Sequence, residues 1–217
     1  MKGNKVRRIY DKLFRQYGPQ RWWPAKSPYE VCVGAILTQS TNWVNVEKSI
    51  ENLKRQNLLD NLALLGVGEG ALAETIRSTG YYNAKAKKLK LFAHFLDQKY
   101  DGDLCNMSGV KTKDLRSQLL DVWGIGPETA DSILLYALGR ACFVVDSYTR
   151  RVFSRIGLVN AGISYDELKG IFESSLPKRP RLYNEYHALI VEHCKRACRV
   201  KPLCPKCCLK SICGKKI

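Results

Sequence analysis

The sequence predicts an all-α fold. Apolar residues recur at helical spacing along nearly its whole length. Glycine, proline and capping residues fall between the periodic stretches, and no Asn-Gly hairpin dipeptide occurs. With 217 residues and a hydrophobic fraction of 45%, the chain can bury one large core or two modest lobes.

Taken in order, Val6, Tyr10, Leu13, Phe14 and Tyr17 share one helical face, and Gly18-Pro19 stops that helix. Pro28 to Gln39 reads as a mostly apolar, buried helix. Asn42 can cap the next, through Val44, Val46, Ile50 and Leu53. Short helices follow over 70–78 and 83–99. Residues 112–122 are amphipathic through Leu115, Leu119 and Leu120. Further helices are predicted over 128–138, 147–156, 165–174 and 181–195. No low-complexity segment or convincing internal repeat interrupts this pattern.

Lys and Arg total 36 against 20 Asp and Glu, a formal net charge of +16. Such an excess attracts a polyanion, with nucleic acid the default candidate. No apolar run approaches the roughly 20 residues that span a membrane. The start MKGNKVRRIYDKLF lacks the apolar stretch of a secretory signal, which predicts residence in the cytoplasm or nucleoid. Six of nine cysteines lie between Cys194 and Cys213. The odd total and the crowding favour a metal site over a disulfide framework.

Gly124-Ile125-Gly126 separates two amphipathic helices. Glycine allows backbone conformations and close approaches that a Cβ forbids, and Pro127 suits the first position of the following helix. Such a helix–hairpin–helix leaves N–H groups at a helix start, where a phosphate oxygen is a natural ligand. A plain helix–helix corner is the simpler account of the glycines alone. Asp146 follows the apolar run Cys142–Val145 and begins a helix. It is a natural N-cap, and burial can also make it a stronger base or electrostatic partner. Trp22, Trp23 and Trp43 flank the helix 28–39. They can staple the N-terminal segment to the core, or hold an extruded base by stacking. Cys198-x5-Cys204-x2-Cys207-x5-Cys213 is a tetrathiolate spacing that, by itself, suits structural zinc as well as iron. Arg199, Lys201, Lys206 and Lys210 interleave with these cysteines and can neutralise an anionic centre or meet phosphates. His94, His187 and His193 read as isolated structural or surface residues.

VWGIGPETADSILLYALG followed by VVDSYTRRVFSRIGL resembles the helix–hairpin–helix and catalytic-aspartate signature of the endonuclease III superfamily of DNA glycosylases. GAILTQSTNW, residues 34–43, resembles its early helix and wedge loop, and the cysteine cluster resembles its iron–sulfur loop. The resemblance covers most of the chain in family order. It implies a two-lobed helix–hairpin–helix DNA glycosylase fold with a C-terminal [4Fe-4S] cluster loop. One lobe would span 25–139. The other would join 1–24 to 140–217, with the cluster loop at 198–213 and the active site in the cleft between lobes. It also implies a monomer acting on duplex DNA that carries a damaged base.

By the same resemblance, Asp146 stabilises the sugar cation formed as the base departs and directs water to C1′. Gly124 and Gly126 grip the DNA backbone, and Gln39 fills the space the base has left. Cys198, Cys204, Cys207 and Cys213 bind the cluster. The family's usual first interval is one residue longer, which leaves Cys194 as an alternative first ligand, and Cys208 adds a second ambiguity. Lyase-competent members carry a lysine where this chain has Glu128, and a carboxylate cannot form an imine. The chain should therefore stop at an abasic site. The aromatic doublet, the aromatic Trp43 and Glu128 resemble the 3-methyladenine (alkylpurine) branch, with Trp22, Trp23, Trp43 and Glu128 near the base. The competing expectations are mismatch-specific thymine or uracil excision, and a DNA-binding iron–sulfur module without catalysis.

Overall fold

The computed structural model describes residues 2–20, 22 and 25–215. Helices and irregular connections account for all of them, with no strand among the described residues. The chain divides into two compact units, one formed by 25–140 and the other by 1–24 with 141–217.

Helix α1 (Lys2–Tyr17) ends at Gly18, whose φ of +67° breaks the helix. Its buried stripe is Val6, Ile9 and Leu13. Phe14, expected on that face, is exposed and stacks on Tyr10, while Ile9 joins the buried stripe.

The unit 25–140 is built around α2 (Pro28–Leu37), apolar on every side and buried from Glu30 onward. Ser27 caps it, and Pro28 occupies the first helical position. The predicted end at Gln39 comes two residues early. Thr38 turns both its N–H and its hydroxyl onto the Gly34 carbonyl, and Ser40 adopts φ +54°. Lys85 Nζ then takes the Leu37 and Thr79 carbonyls at 2.9 and 2.8 Å. Asn42 caps α3 (Trp43–Arg55) through Asn45 N–H at 3.1 Å.

The short α4 (Asn61–Gly66) escapes the periodicity reading, since six residues make fewer than two turns. Asp60 caps it, Leu64 anchors it, and Lys90 Nζ takes the carbonyls of Leu64, Leu65 and Val67. The stretch predicted as one helix over 70–78 breaks at Ile76 into α5 (Glu69–Thr75) and a 3-10 turn, Arg77–Thr79. Next come α6 (Tyr82–Tyr100), α7 (Thr112–Leu120) and α8 (Pro127–Ser132). The predicted helix 128–138 is continued past α8 by a wider π-type turn over Ile133–Ala137. A buried ion pair joins α7 to α8. Arg116 Nε meets Asp131 Oδ1 at 2.7 Å, with the Asp131 side chain fully enclosed.

The second unit packs α1 with α9 (Ser147–Ile156), α10 (Tyr165–Ser175) and α11 (Pro180–Arg196). Its core is aromatic. Phe143 stacks on Phe172 at 3.9 Å between centroids, with Tyr183, Tyr186 and Phe153 around them. Full burial of one such ring stabilises by about 1.5–3 kcal/mol. The extended segment 143–145 runs through this core. Phe143 N–H donates to Glu173 Oε1 at 2.9 Å and Val145 N–H to Tyr165 Oη at 3.3 Å. That threading fixes where the next residue, Asp146, emerges.

Candidate active site

Asp146 stands between the buried segment and α9, and its carboxylate caps the helix. Oδ1 accepts from Thr149 N–H at 2.7 Å and from the Thr149 hydroxyl at 2.8 Å. Oδ2 faces His187 Nε2 of α11 at 3.4 Å, with the side chains 11% and 7% exposed. Burial by itself raises the carboxyl's pKa. The His187 imidazole opposite and the two Thr149 bonds outweigh that, so Asp146 titrates below the ordinary aspartate value and is anionic at neutral pH. Capping the helix does not exclude chemistry, because the two Thr149 bonds fall on the same oxygen. Trp22 packs its ring edge-to-face on His187 at 6.0 Å, and Lys195 Nζ lies 5.6 Å from the Trp22 ring centre. Trp23 lies outside the described residues.

The glycine turn belongs to the other unit. Gly124 has φ +85°, and a Cβ there would lie 2.5 Å from the Lys88 side chain. Both constraints call for glycine. Ile125 N–H closes back on the Val122 carbonyl at 3.0 Å. Gly126, exposed, precedes α8 with no side-chain cap, and Pro127 opens the helix. An uncapped helix start at the surface suits an anionic oxygen. Gln39 is held against this turn. Its Nε2 donates to Gly124 O at 3.0 Å and to Thr129 Oγ1 at 2.9 Å, while its Oε1 accepts from Lys88 Nζ. Glu128 is exposed in the first turn of α8, where an acidic side chain favours the helix dipole. Trp43 is half-buried, and its Nε1 donates to Glu47 at 2.7 Å.

Cys198, Cys204, Cys207 and Cys213 line one hollow in the C-terminal loop, with Arg155 and Lys215 on its wall. Cys194 reaches the Tyr148 carbonyl at 3.7 Å and also hydrogen-bonds Cys198, while Cys208 faces Tyr17. Among the described residues, no three His, Cys, Asp or Glu side chains form a group that could hold a single metal ion. Four thiols around a shared hollow fit a bulkier thiolate-bound group. Arg155 pins the loop, donating to the carbonyls of Arg199 at 2.6 Å and Val200 at 2.9 Å and reaching Cys198 Sγ at 3.5 Å. Gly214 N–H closes the far end on the Ile156 carbonyl at 3.1 Å. His193 is buried behind the loop, between Tyr17 Oη at 2.9 Å and Cys207 Sγ at 3.6 Å, and burial lowers its pKa to about 4.

Residues 33–178 match the family described as HhH-GPD superfamily base excision DNA repair protein. The chain belongs to that superfamily. It is similar along its whole length to a Methanocaldococcus jannaschii protein provisionally named a DNA repair glycosylase, with 52% identity and all of both chains covered. Among solved structures, it resembles the 3-methyladenine DNA glycosylase of H. pylori bound to 1,N6-ethenoadenine. The TM-score is 0.76 and the identity 30%, over 90% of this chain and 97% of that one. A non-covalent endonuclease III–DNA complex shares the fold at TM-score 0.85 and 22% identity, over 98% and 95% of the two chains.

Within this HhH-GPD protein, two residues around Asp146 and the cysteines had no place in the sequence reading. His187, taken there as isolated, faces Asp146. A signal was available: it shares a face of α11 with Tyr183, Ile190 and Cys194, all buried, and a buried imidazole needs a polar partner. Arg155 carries no sequence signal, because its targets are carbonyls more than forty residues away.

Proposed function

We propose that the protein is a monofunctional DNA glycosylase, acting as a monomer, that hydrolyses the N-glycosidic bond of an alkylated purine such as 3-methyladenine in duplex DNA. The observation that carries this reading is Asp146, a buried carboxylate kept anionic by Thr149 and His187 at a helix start. The bond from C1′ to the base nitrogen breaks with its electron pair leaving on the base. The anionic Asp146 stabilises the sugar cation so formed, as in other oxocarbenium chemistry. Water then attacks C1′ and passes its proton to the carboxylate.

The alkylpurine assignment draws on the 30% identity to the H. pylori enzyme and on Trp22, Trp23 and Trp43. Tryptophan faces attract a cationic base, and N3- or N7-alkylated purines are cationic with weakened glycosidic bonds. Gly124 and Gly126 would hold a backbone phosphate, and Gln39 would fill the vacated stack. Glu128 at the lyase lysine's position supports a reaction that ends at the abasic site. Cys198, Cys204, Cys207 and Cys213 would hold a [4Fe-4S] cluster rather than zinc, a structural group that folds the loop. Arg155 and His193 would pack against its sulfurs.

The test is base release from duplexes carrying defined lesions, with and without alkali. Free 3-methyladenine and alkali-dependent strand breaks are expected. Efficient breaks without alkali would contradict the monofunctional assignment, and free thymine from a mismatch would point to the mismatch-excising class. Asp146→Asn with undiminished release would remove the catalytic assignment. An absorbance spectrum and metal analysis distinguish iron from zinc.

A further inference from the structure

Trp123 stands immediately before the glycine turn and is 54% exposed. A ring that large ordinarily gains by burial. The backbone on either side holds it out. Val122 and Ile125 are buried, and Ile125 N–H closes on the Val122 carbonyl at 3.0 Å. Between two such anchors the indole cannot swing inward without opening the turn. Lys87 of α6 places its Nζ 4.9 Å from the ring centre, and the Lys88 side chain lies against Gly124. Among the described residues, no carboxylate pairs with Lys87 and no acceptor takes the indole N–H.

Beyond the ring, an open groove runs between α6 and the chain that follows α7. Leu91, Phe95 and Val122 line it, with His94 and Gln98 on the α6 side and Asp121 opposite. Lys87, Leu91, His94 and Gln98 share one face of α6 at spacings of three and four. Phe95 and Val122 are themselves buried, so the accessible apolar surface is the indole with a margin from Leu91. That is little for a protein partner, since a stable interface takes about 800 Å² from each side. It suits a sugar–phosphate strand, which offers a small apolar sugar face between two anionic groups.

We infer that Trp123 is a second grip on duplex DNA: its indole packs on the deoxyribose beside the phosphate assigned to the glycine turn, and Lys87 meets the next phosphate. The inference rests on the DNA-binding part of the function just proposed and adds to it a contact that the glycines cannot make. The glycines offer only backbone N–H groups. Trp123 offers apolar area and an N–H donor, and Lys87 offers a charge already placed at the ring.

The experiment measures binding of the full chain to a short, undamaged, end-labelled duplex by fluorescence anisotropy across a range of salt. Trp123→Ala should weaken binding about tenfold. Its slope of log affinity against log salt should match the wild type, because no cation has been lost. Lys87→Met should weaken binding and reduce that slope by about 0.9. Trp123→Phe keeps an aromatic face and should retain most of the affinity. The duplex should also quench the emission of the wild-type chain more than that of Trp123→Phe, with circular dichroism checking that each variant folds. Wild-type affinity in Trp123→Ala overturns the inference, as does equal quenching of wild type and Trp123→Phe. The quenching comparison needs only the conservative variant to fold. A wild-type chain that binds and is quenched as expected, yet releases no lesion base, keeps this contact and sinks the excision activity instead.

Discussion

Gln39 Nε2 donates to the Gly124 carbonyl at 3.0 Å, tying the loop after α2 to the glycine turn before α8. Thr129 Oγ1 and Lys88 Nζ complete the tie. A residue proposed to enter the duplex is thus held by the turn proposed to grip it. Gln39→Ala removes the tie and the filler together. Loss of these bonds should lower stability by about 1–2 kcal/mol. Release from a lesion in duplex should fall more than release from the same lesion in a single strand, where extrusion costs least. Equal losses on both substrates would assign Gln39 to the turn alone.

Arg116 and Asp131 hold α7 and α8 on either side of the same turn. Asp131 is fully enclosed and Arg116 is 20% exposed. Removing one partner of a buried pair leaves the other uncompensated, at a cost of about 3–5 kcal/mol. Asp131→Ala should therefore lower the urea unfolding midpoint sharply. Replacing both residues with apolar ones of similar volume should restore much of the loss.

The helices were legible because their signals are local. Pro28, Asn42 and Gly18 start, cap and stop helices within a few positions, and the observed α9 spans the predicted 147–156. What stayed hidden depends on contacts distant in sequence. Helix α4 is too short for a period and is held by Lys90, more than twenty residues away. The end of α2 is set by Lys85, nearly fifty residues on. The candidate site divides the same way. Asp146 was legible because its cap partner, Thr149, is three residues along. For His187 only its burial on the α11 face was local; the carboxylate it faces lies forty-one positions away.

Lys85 gives stability a dependence on alkaline pH. Burial, helped by nearby Lys88, lowers its pKa from 10.5 to about 8. Between about 8 and 10.5 the unfolded chain then holds the proton more often than the folded one, so stability from this group rises with pH across that window. Below about 8 the cost of burying the charge is present in full. Denaturant midpoints of wild type and Lys85→Met, compared below 8 and near 10.5, should show the wild type gaining relative to the variant as pH rises. A constant difference would mean that the two carbonyl bonds to Leu37 and Thr79 compensate the burial.

Glu128 offers a gain-of-function test of the proposed chemistry. It is exposed at the start of α8, where losing a favourable dipole contact costs about 0.3–1 kcal/mol. Glu128→Lys places an amine where, by the family resemblance, lyase-competent members carry one. A lysine there could attack C1′ once the base has gone, forming an imine that borohydride reduces to a stable protein–DNA adduct. The variant is expected to yield a trapped adduct and alkali-independent strand breaks, while the wild type yields neither. An amine that releases base but forms no adduct would show that position 128 does not reach the sugar. The proposed lack of lyase chemistry could then not be credited to the carboxylate.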